Sequence, residues 1–332
     1  EKMKIGYIYR SKELHAFSVE NVFDIVANEI ERKYDVEKYY LPKGAYSIKA
    51  FLSNINYIRN KKANIYHITG DVHYICAVLP GKRTVLTVHD LRAHERLKDK
   101  PLKKWIYNLI WVKYAVKKCK YVTAISEQTK EEILSVCPWA VNKVVVIPDP
   151  ISTNIKYSSK EINVECPRLL FIGTKDNKNH LRMIEAIRGM NCIVDIIGII
   201  PDNEKKLLDD YAIKYENSSF LSEDELLDKY KNCDVVMFAS TYEGFGMPIV
   251  EGQMIGRPVL TSNISPMNTV AGKDSACLVD PYSIESISTG LKHILEDKEY
   301  RNSLIQNGRV NAQKYTANSI ANMYDNIYEK IK

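Results

Sequence analysis

Short β-branched apolar runs alternate with stretches of helical period almost from end to end of this chain, and no other feature constrains its fold as much. Strands buried on both faces read as continuous Val, Ile and Leu runs, and pairing them in parallel requires a crossover helix. The predicted class is therefore α/β with parallel sheets. In the first half, strands are expected at 3–9, 36–41, 65–68, 83–88, 121–124 and 144–147, with helices at 19–32, 48–60, 102–118 and 127–136. In the second half, strands are expected at 168–172, 193–197, 235–238, 258–260 and 276–279. Helices are expected there at 180–188, 204–215, 224–231, 248–255 and 284–295, and a last one at 317–331.

Pro148-Asp149-Pro150 and the polar segment 152–165 interrupt this rhythm. At 332 residues the chain also exceeds what one hydrophobic core usually organises. Two α/β domains in tandem follow, 1–150 and 151–314, with 315–332 a terminal amphipathic helix. Sheets of this kind bind ligands beyond the carboxyl ends of their strands. Two of them facing across a cleft suit a transfer between two substrates, although the fold alone does not choose the chemistry.

The longest apolar runs are far shorter than the roughly 20 residues that span a bilayer. The opening residues carry no apolar signal core, so Met3 reads as the start and a cytoplasmic protein is expected. Seven cysteines are scattered without a C-x-x-C pair or a His at ligating spacing, which predicts reduced, buried thiols. The net charge of +6 is mild but uneven. Arg92, Arg96, Lys98, Lys100, Lys103, Lys104, Lys113, Lys117, Lys118 and Lys120 crowd one stretch. No nucleic-acid module accompanies them, and nucleic acid is not an expected partner. Within 101–120, Trp105, Leu109, Val112 and Val116 form one stripe. A core-packed helix with a solvated lysine face is about twice as frequent as the other reading, a helix lying peripherally on an anionic membrane.

The richest signal comes after the buried run 235–240. Glu243-Gly244-Phe245-Gly246-Met247 reads as a loop at the carboxyl end of a strand, and Pro248 fits the first position of a helix with Glu251 in its first turn. Free N–H groups at such a helix end suit an anion or sugar hydroxyls, and the glycines admit a ligand close to the backbone. A carboxylate accepts from two vicinal hydroxyls, so one Glu suits a transferred sugar and the other a ribose. Either Glu alone reads as a solvated or helix-stabilising residue; the constellation reads as a site.

A second signal is the strand 169–172 ending in Gly173, followed by Thr174-Lys175-Asp176-Asn177-Lys178-Asn179 and a helix. Lys178 is placed to pair with a departing diphosphate, against the alternative of solvated lysines and a helix-capping Asn179. A third is Thr87-Val88-His89-Asp90, which sets a histidine at the end of a strand.

The nine residues from Glu243 to Glu251 resemble the E-x7-E hallmark of the family-4 retaining glycosyltransferases, and Ala239-Ser240 and Gly256-Arg257-Pro258-Val259 match the flanks of that pattern. The resemblance implies a GT-B fold of two Rossmann-like domains, with a UDP- or GDP-linked sugar held by the second domain and a hexosyl group passed with retention to a glycan or lipid-linked glycan acceptor. It implies catalytic roles for Glu243, His89 and Lys178, and donor contacts from Gly173, Thr174, Lys175, Gly244, Phe245, Gly246, Met247 and Glu251. It also implies that the terminal helix packs back on the first domain. Thr174 stands where the family commonly has a phosphate-binding arginine, and Lys175 is the substitute. The paired glycines many relatives carry after the first strand are missing, and the side chains of Arg10 and Ser18 are expected to take their place. Gly70, Asp71 and His73 are expected on the acceptor side. No Asp-x-Asp follows a strand, and the family needs no divalent cation, so neither metal nor other cofactor is expected. The alternatives are a sugar-nucleotide epimerase or phosphorylase of the same architecture, or a non-catalytic glycan- or partner-binding protein. A dinucleotide dehydrogenase is disfavoured by the lack of G-x-G-x-x-G after the first strand.

Overall fold

A computed structural model describes residues 2–14, 18–44, 47–91 and 99–331. The chain divides into two units, Glu1–Ser152 with Ala317–Lys332, and Thr153–Thr316.

The first unit holds a six-stranded sheet in the order β2-β1-β3-β4-β5-β6, with every neighbouring pair parallel. Its strands are β1 Lys4–Tyr9, β2 Asp35–Tyr40, β3 Ile65–Ile68, β4 Thr84–Val88, β5 Tyr121–Ala124 and β6 Val144–Val146. The crossovers include α1 Ser18–Ile30, α2 Ile48–Arg59, α3 Pro101–Tyr107, α4 Tyr114–Lys118 and α5 Glu127–Val136. Ser47 and Ser126 cap α2 and α5 by accepting from Ala50 N and Thr129 N, which satisfies first-turn donors that have no intrahelical partner.

The second sheet runs β12-β11-β10-β7-β8-β9, again parallel throughout. Its strands are β7 Arg168–Ile172, β8 Ile193–Ile197, β9 Lys214–Ser218, β10 Val235–Phe238, β11 Val259–Ser262 and β12 Cys277–Val279. The helices are α6 His180–Ala186, α7 Asp202–Asp210, α8 Glu223–Asn232, α9 Met247–Ile255, α10 Met267–Ala271, α11 Ile284–Glu296 and α12 Lys298–Ala312. Central strands such as Val235–Phe238 are buried at every position, which is why their sequences are apolar without alternation.

The closing helix α13, Ala317–Glu329, belongs to the first unit. Its Ile320, Tyr324, Ile327 and Tyr328 are buried in a core with Tyr7, Phe23 and Val85. Tyr328 bonds His67 Nδ1 at 2.6 Å, and Asp325 accepts from Lys33 Nζ at 2.9 Å and from Tyr34 at 2.5 Å.

Three expectations need correction. The helix expected at 204–215 stops at Asp210, because Ala212 takes a left-handed conformation (φ 52°) and donates to Asp209 O while Ile213 donates to Leu208 O. That pair of bonds ends a helix in the way a terminal glycine usually does, and it frees Lys214–Ser218 to become edge strand β9. The stretch 298–312, unassigned from sequence, is helix α12, capped by Asp297 accepting from Tyr300 N. The helix expected at 102–118 is interrupted by a π turn over Asn108–Lys113, in which Tyr114 N–H donates to Leu109 O.

Six of the seven cysteines are buried and all are free thiols. Among the described residues, no helix is long and apolar enough to cross a membrane. Arg92, Arg96 and Lys98 of the basic stretch lie outside the described residues.

Candidate active site

The strand order of the second sheet reverses between β7 and β10, because β8 and β9 lie to one side and β11 and β12 to the other. Loops leaving the carboxyl ends of two such strands open on one crevice, the usual ligand position in an open α/β sheet. Here they are residues 173–179 and 239–246, the two segments singled out by sequence.

The loops are stitched together. Thr241 N–H donates to Asn177 O at 2.8 Å, and Asn177 Nδ2 donates to Tyr242 O at 2.7 Å and to Glu243 Oε1 at 3.1 Å. Lys178 Nζ lies 2.7 Å from Glu243 Oε1 and 4.6 Å from the centre of the Phe238 ring. The two residues assigned separately by sequence are thus one ion pair, with side chains only 18% and 12% exposed. Gly173 makes the pair possible. Its φ is +81°, and a Cβ there would stand 2.7 Å from Lys178 Cε. Thr174 packs against Gly198 in the loop after β8, while Lys175 is exposed.

Asn179 does not cap α6, contrary to one of the sequence readings. It sits in the left-handed region (φ 63°, ψ 29°) with no capping bond, and its Nδ2 donates to Ala239 O at 2.8 Å and Pro281 O at 2.7 Å. The side chain staples the loop after β7 to the end of β10.

Helix α9 begins at Met247, one residue before the expected start, so Pro248 is its second residue and Glu251 lies in its second turn. Gly246 supplies the N-terminal turn at φ 113°, where a Cβ would also press on Ile249 Cδ1 at 3.0 Å. Phe245 is buried edge-on to Tyr315, at 5.5 Å between centroids, and Gly244 and Met247 are partly exposed. Glu251 is partly buried and accepts a 2.5 Å hydrogen bond from Tyr230 of α8. Burial pushes its carboxyl pKa up, the Tyr230 bond draws it down, and Glu223 adds a smaller upward push. Tyr230, which is wholly buried, was not found from sequence. Arg257, also within 239–259, is buried and donates to Ser158 O at 2.8 Å and Lys231 O at 2.7 Å, tying the segment before β7 to α8.

The first sheet has its own reversal, between β1 and β3. The segments beyond those strands carry Arg10, Gly70, Asp71 and His73. Arg10 grips Glu20 through both Nε (2.9 Å) and Nη2 (2.7 Å), and its stem covers Gly70, where a Cβ would meet Arg10 Cγ at 3.0 Å. Asp71 accepts from Trp111 Nε1 at 2.7 Å, and His73, 3% exposed, donates from Nδ1 to Trp111 O at 3.1 Å. At the end of β4, His89 Nε2 donates to Thr69 O at 2.9 Å, since a carbonyl can only accept. That leaves Nδ1 facing Asp149 Oδ1 at 3.9 Å. Burial pushes the Asp149 carboxyl pKa up and His89 draws it down. Sequence reading took Pro148-Asp149-Pro150 only as a boundary and missed this neighbour. Among the described residues, no group of three His, Cys, Asp or Glu side chains is arranged to hold a metal ion.

Comparison with known proteins is consistent across both units. Residues 154–311 match the family described as glycosyl transferases group 1, and residues 17–155 match glycosyltransferase family 4. An uncharacterised glycosyltransferase of Methanocaldococcus jannaschii is 26% identical over 64% of this chain and 60% of its own length. The MMP alpha-(1->4)-mannosyltransferase of Mycolicibacterium hassiacum is 24% identical over 70% of this chain and 59% of its own. The matched region thus spans about 60% of each of these curated relatives. Among solved structures, Anabaena HepE in complex with UDP superposes with a TM-score of 0.79 at 14% identity, covering 99% of this chain and 100% of that one. WaaG, a glycosyltransferase involved in lipopolysaccharide biosynthesis, superposes at 0.75 and 15% identity, covering 98% and 99%.

Proposed function

This chain belongs to the GT-B glycosyltransferases of group 1 and family 4, and from that premise we propose that it moves a hexosyl group from a UDP- or GDP-linked sugar to a hydroxyl of a glycan or lipid-linked glycan, with retention and without a metal ion. The observation that carries the reading is the Lys178–Glu243 ion pair beside the N-terminus of α9, at the point where the sheet order reverses. A cation next to a carboxylate suits a substrate that is anionic at the diphosphate and rich in hydroxyls at the sugar.

In this reading the donor diphosphate draws Lys178 Nζ away from exclusive contact with Glu243. Glu243 then accepts from hydroxyls of the transferred sugar, Glu251 accepts from the ribose, and first-turn N–H groups of α9 face the sugar or phosphate. Lys175 is the second cation where Thr174 leaves none. The bond between the anomeric carbon and the phosphate oxygen breaks as the acceptor oxygen bonds to that carbon on the same face, and the acceptor proton passes to the leaving phosphate. Lys178 stabilises the charge that grows on the phosphate. In this reading His89, its ring fixed by Thr69 O, has the catalytic role, and Arg10, Gly70, Asp71 and His73 the acceptor role, expected of them from sequence.

The complex of Anabaena HepE with UDP, among the structural neighbours, supports a nucleoside diphosphate as the leaving group. The test is thermal stabilisation by UDP, GDP and ADP with and without a chelator, repeated on Glu251→Ala. Stabilisation by UDP or GDP that survives chelator and is lost in the variant is expected. Lack of stabilisation by any nucleotide, or an equal response from Glu251→Ala, overturns the donor-site assignment.

A further inference from the structure

The π turn at Asn108–Lys113 does more than interrupt a helix. An i→i+5 turn adds a residue to the helical cycle and shifts the face that the next turns present. Val112, Ala115, Val116 and Cys119 are buried in the core of the first unit, whereas Leu109 and Ile110 turn outward. The stripe read from sequence is therefore split, with Val112 and Val116 inside and Trp105 and Leu109 exposed. Leu102, Trp105, Ile110 and Trp139 are each more than half exposed. An open apolar groove of about 780 Å³ runs among Leu109, Ile110, Tyr114 and Trp139, with Lys113 and Lys117 on its walls. Exposed apolar surface concentrated in this way marks an interaction site rather than ordinary scatter.

The charged residues that line the groove, Lys113 and Lys117, have one sign. Every charged residue between Asp99 and Glu127 is a lysine. Protein interfaces favour arginine, which forks onto carboxylates, and are poor in lysine. A run of lysines beside tryptophans matches a lipid surface, where aromatic rings settle among the headgroups and lysine stems lie along apolar surface with their ammonium groups in water.

We propose that the face formed by Leu109, Ile110, Lys113, Tyr114, Lys117 and Trp139, together with the exposed Leu102 and Trp105 of the preceding helix, docks on a bilayer surface carrying anionic headgroups. The tryptophans and aliphatic side chains enter the headgroup boundary, and the lysines supply the attraction that makes the contact selective for negative charge. The inference does not depend on the donor assignment, because nucleotide stabilisation is read without lipid and vesicle binding without nucleotide.

The test is co-sedimentation of the full chain with phosphatidylcholine vesicles and with vesicles in which about a third of the lipid is phosphatidylglycerol, over a salt series. Binding to the anionic vesicles alone, declining with salt, is expected. Lys113→Gln and Lys117→Gln should each weaken it about fivefold, and Trp105→Ser combined with Trp139→Ser should abolish it, with circular dichroism melts matching wild type. Equal binding to both vesicle types, binding to neither, or unchanged binding by the folded variants overturns the proposal. Light scattering that shows the tryptophan pair holding two copies together, or a salt-sensitive complex with an acidic protein in place of vesicle binding, overturns it as well.

Discussion

Tyr230 and Glu251 meet across two helices: the buried phenol of α8 donates a 2.5 Å hydrogen bond to Oε2 of a residue that keeps part of its surface exposed. The bond fixes one carboxylate oxygen and orients the other. If Glu251 binds the ribose, Tyr230 is a positioning residue. Tyr230→Phe should then weaken UDP or GDP binding by about ten- to a hundredfold, the effect of one hydrogen bond to a charged group, while kcat at saturating donor changes little. Calorimetric titration with the nucleotide, alongside a KM-against-kcat comparison, separates this from a general loss of packing.

The same carboxylate predicts a pH dependence. Burial raises the Glu251 pKa above its ordinary value, so the folded state holds this proton to higher pH than the unfolded state. The sign follows: its contribution to stability falls as pH rises from the ordinary carboxylate value through the raised one. Ribose hydroxyls need the ionised form as acceptor. Nucleotide affinity should therefore drop as pH is lowered through the raised value, at a higher pH than an ordinary glutamate would show. Glu251→Gln should lack that limb, which titrations at several pH values would read directly.

Much of this architecture was legible before the structure. The buried strands declared themselves because both faces are covered and their sequences are apolar throughout. Edge strand β9, Lys-Tyr-Glu-Asn-Ser, is largely exposed and carries no such signal, and the helix before it ends on Ala212 where a glycine would have marked the stop. Helix α12 was obscured by its polar composition. The residues of the candidate site were visible as motifs because the motif is local. Their partners were not: Lys178 and Glu243 are 65 residues apart and meet only because β7 and β10 are sheet neighbours. The Tyr230–Glu251 contact likewise depends on the packing of two helices, which no spacing rule encodes.

The Lys178–Glu243 pair separates binding from chemistry. Lys178→Ala should lower kcat about a hundred- to a thousandfold, the usual loss when one group that stabilises a developing oxyanion is removed. Its effect on KM should be much smaller. Lys178→Arg should recover only part of the rate, because the forked guanidinium has to share the space over Gly173. Steady-state kinetics of sugar transfer, with the melting temperature as the check on folding, read both. Loss of rate and KM in equal proportion would assign Lys178 to uniform binding instead.

Asn179 tests whether the loop after β7 is held rigidly. Asn179→Ala deletes three side-chain hydrogen bonds, two donated to Ala239 O and Pro281 O and one accepted from Arg182 Nη1, from a buried residue in a left-handed conformation. A cost of about 2–4 kcal/mol is expected from the lost bonds and the strained backbone. Asn179→Gly relieves the strain but not the lost bonds and should fall between wild type and the alanine variant. Denaturant unfolding of the three proteins gives the order.

The terminal helix supplies a last prediction, about the first unit. His67 is fully buried between Tyr328 and Thr87, and burial pushes its pKa down to about 3. The unfolded state binds a proton near the ordinary value of 6.5, whereas the folded state refuses it until about 3. The contribution of a neutral His67 to stability is thus complete above about pH 6.5 and is lost progressively as pH falls toward 3. Melting temperatures should decline over that interval. His67→Gln, which keeps a polar group between the two hydroxyls but cannot take the proton, should start lower at neutral pH and decline less steeply. A wild-type acid limb no steeper than that of the variant would show that His67 is not the group whose protonation loosens α13 from the first sheet.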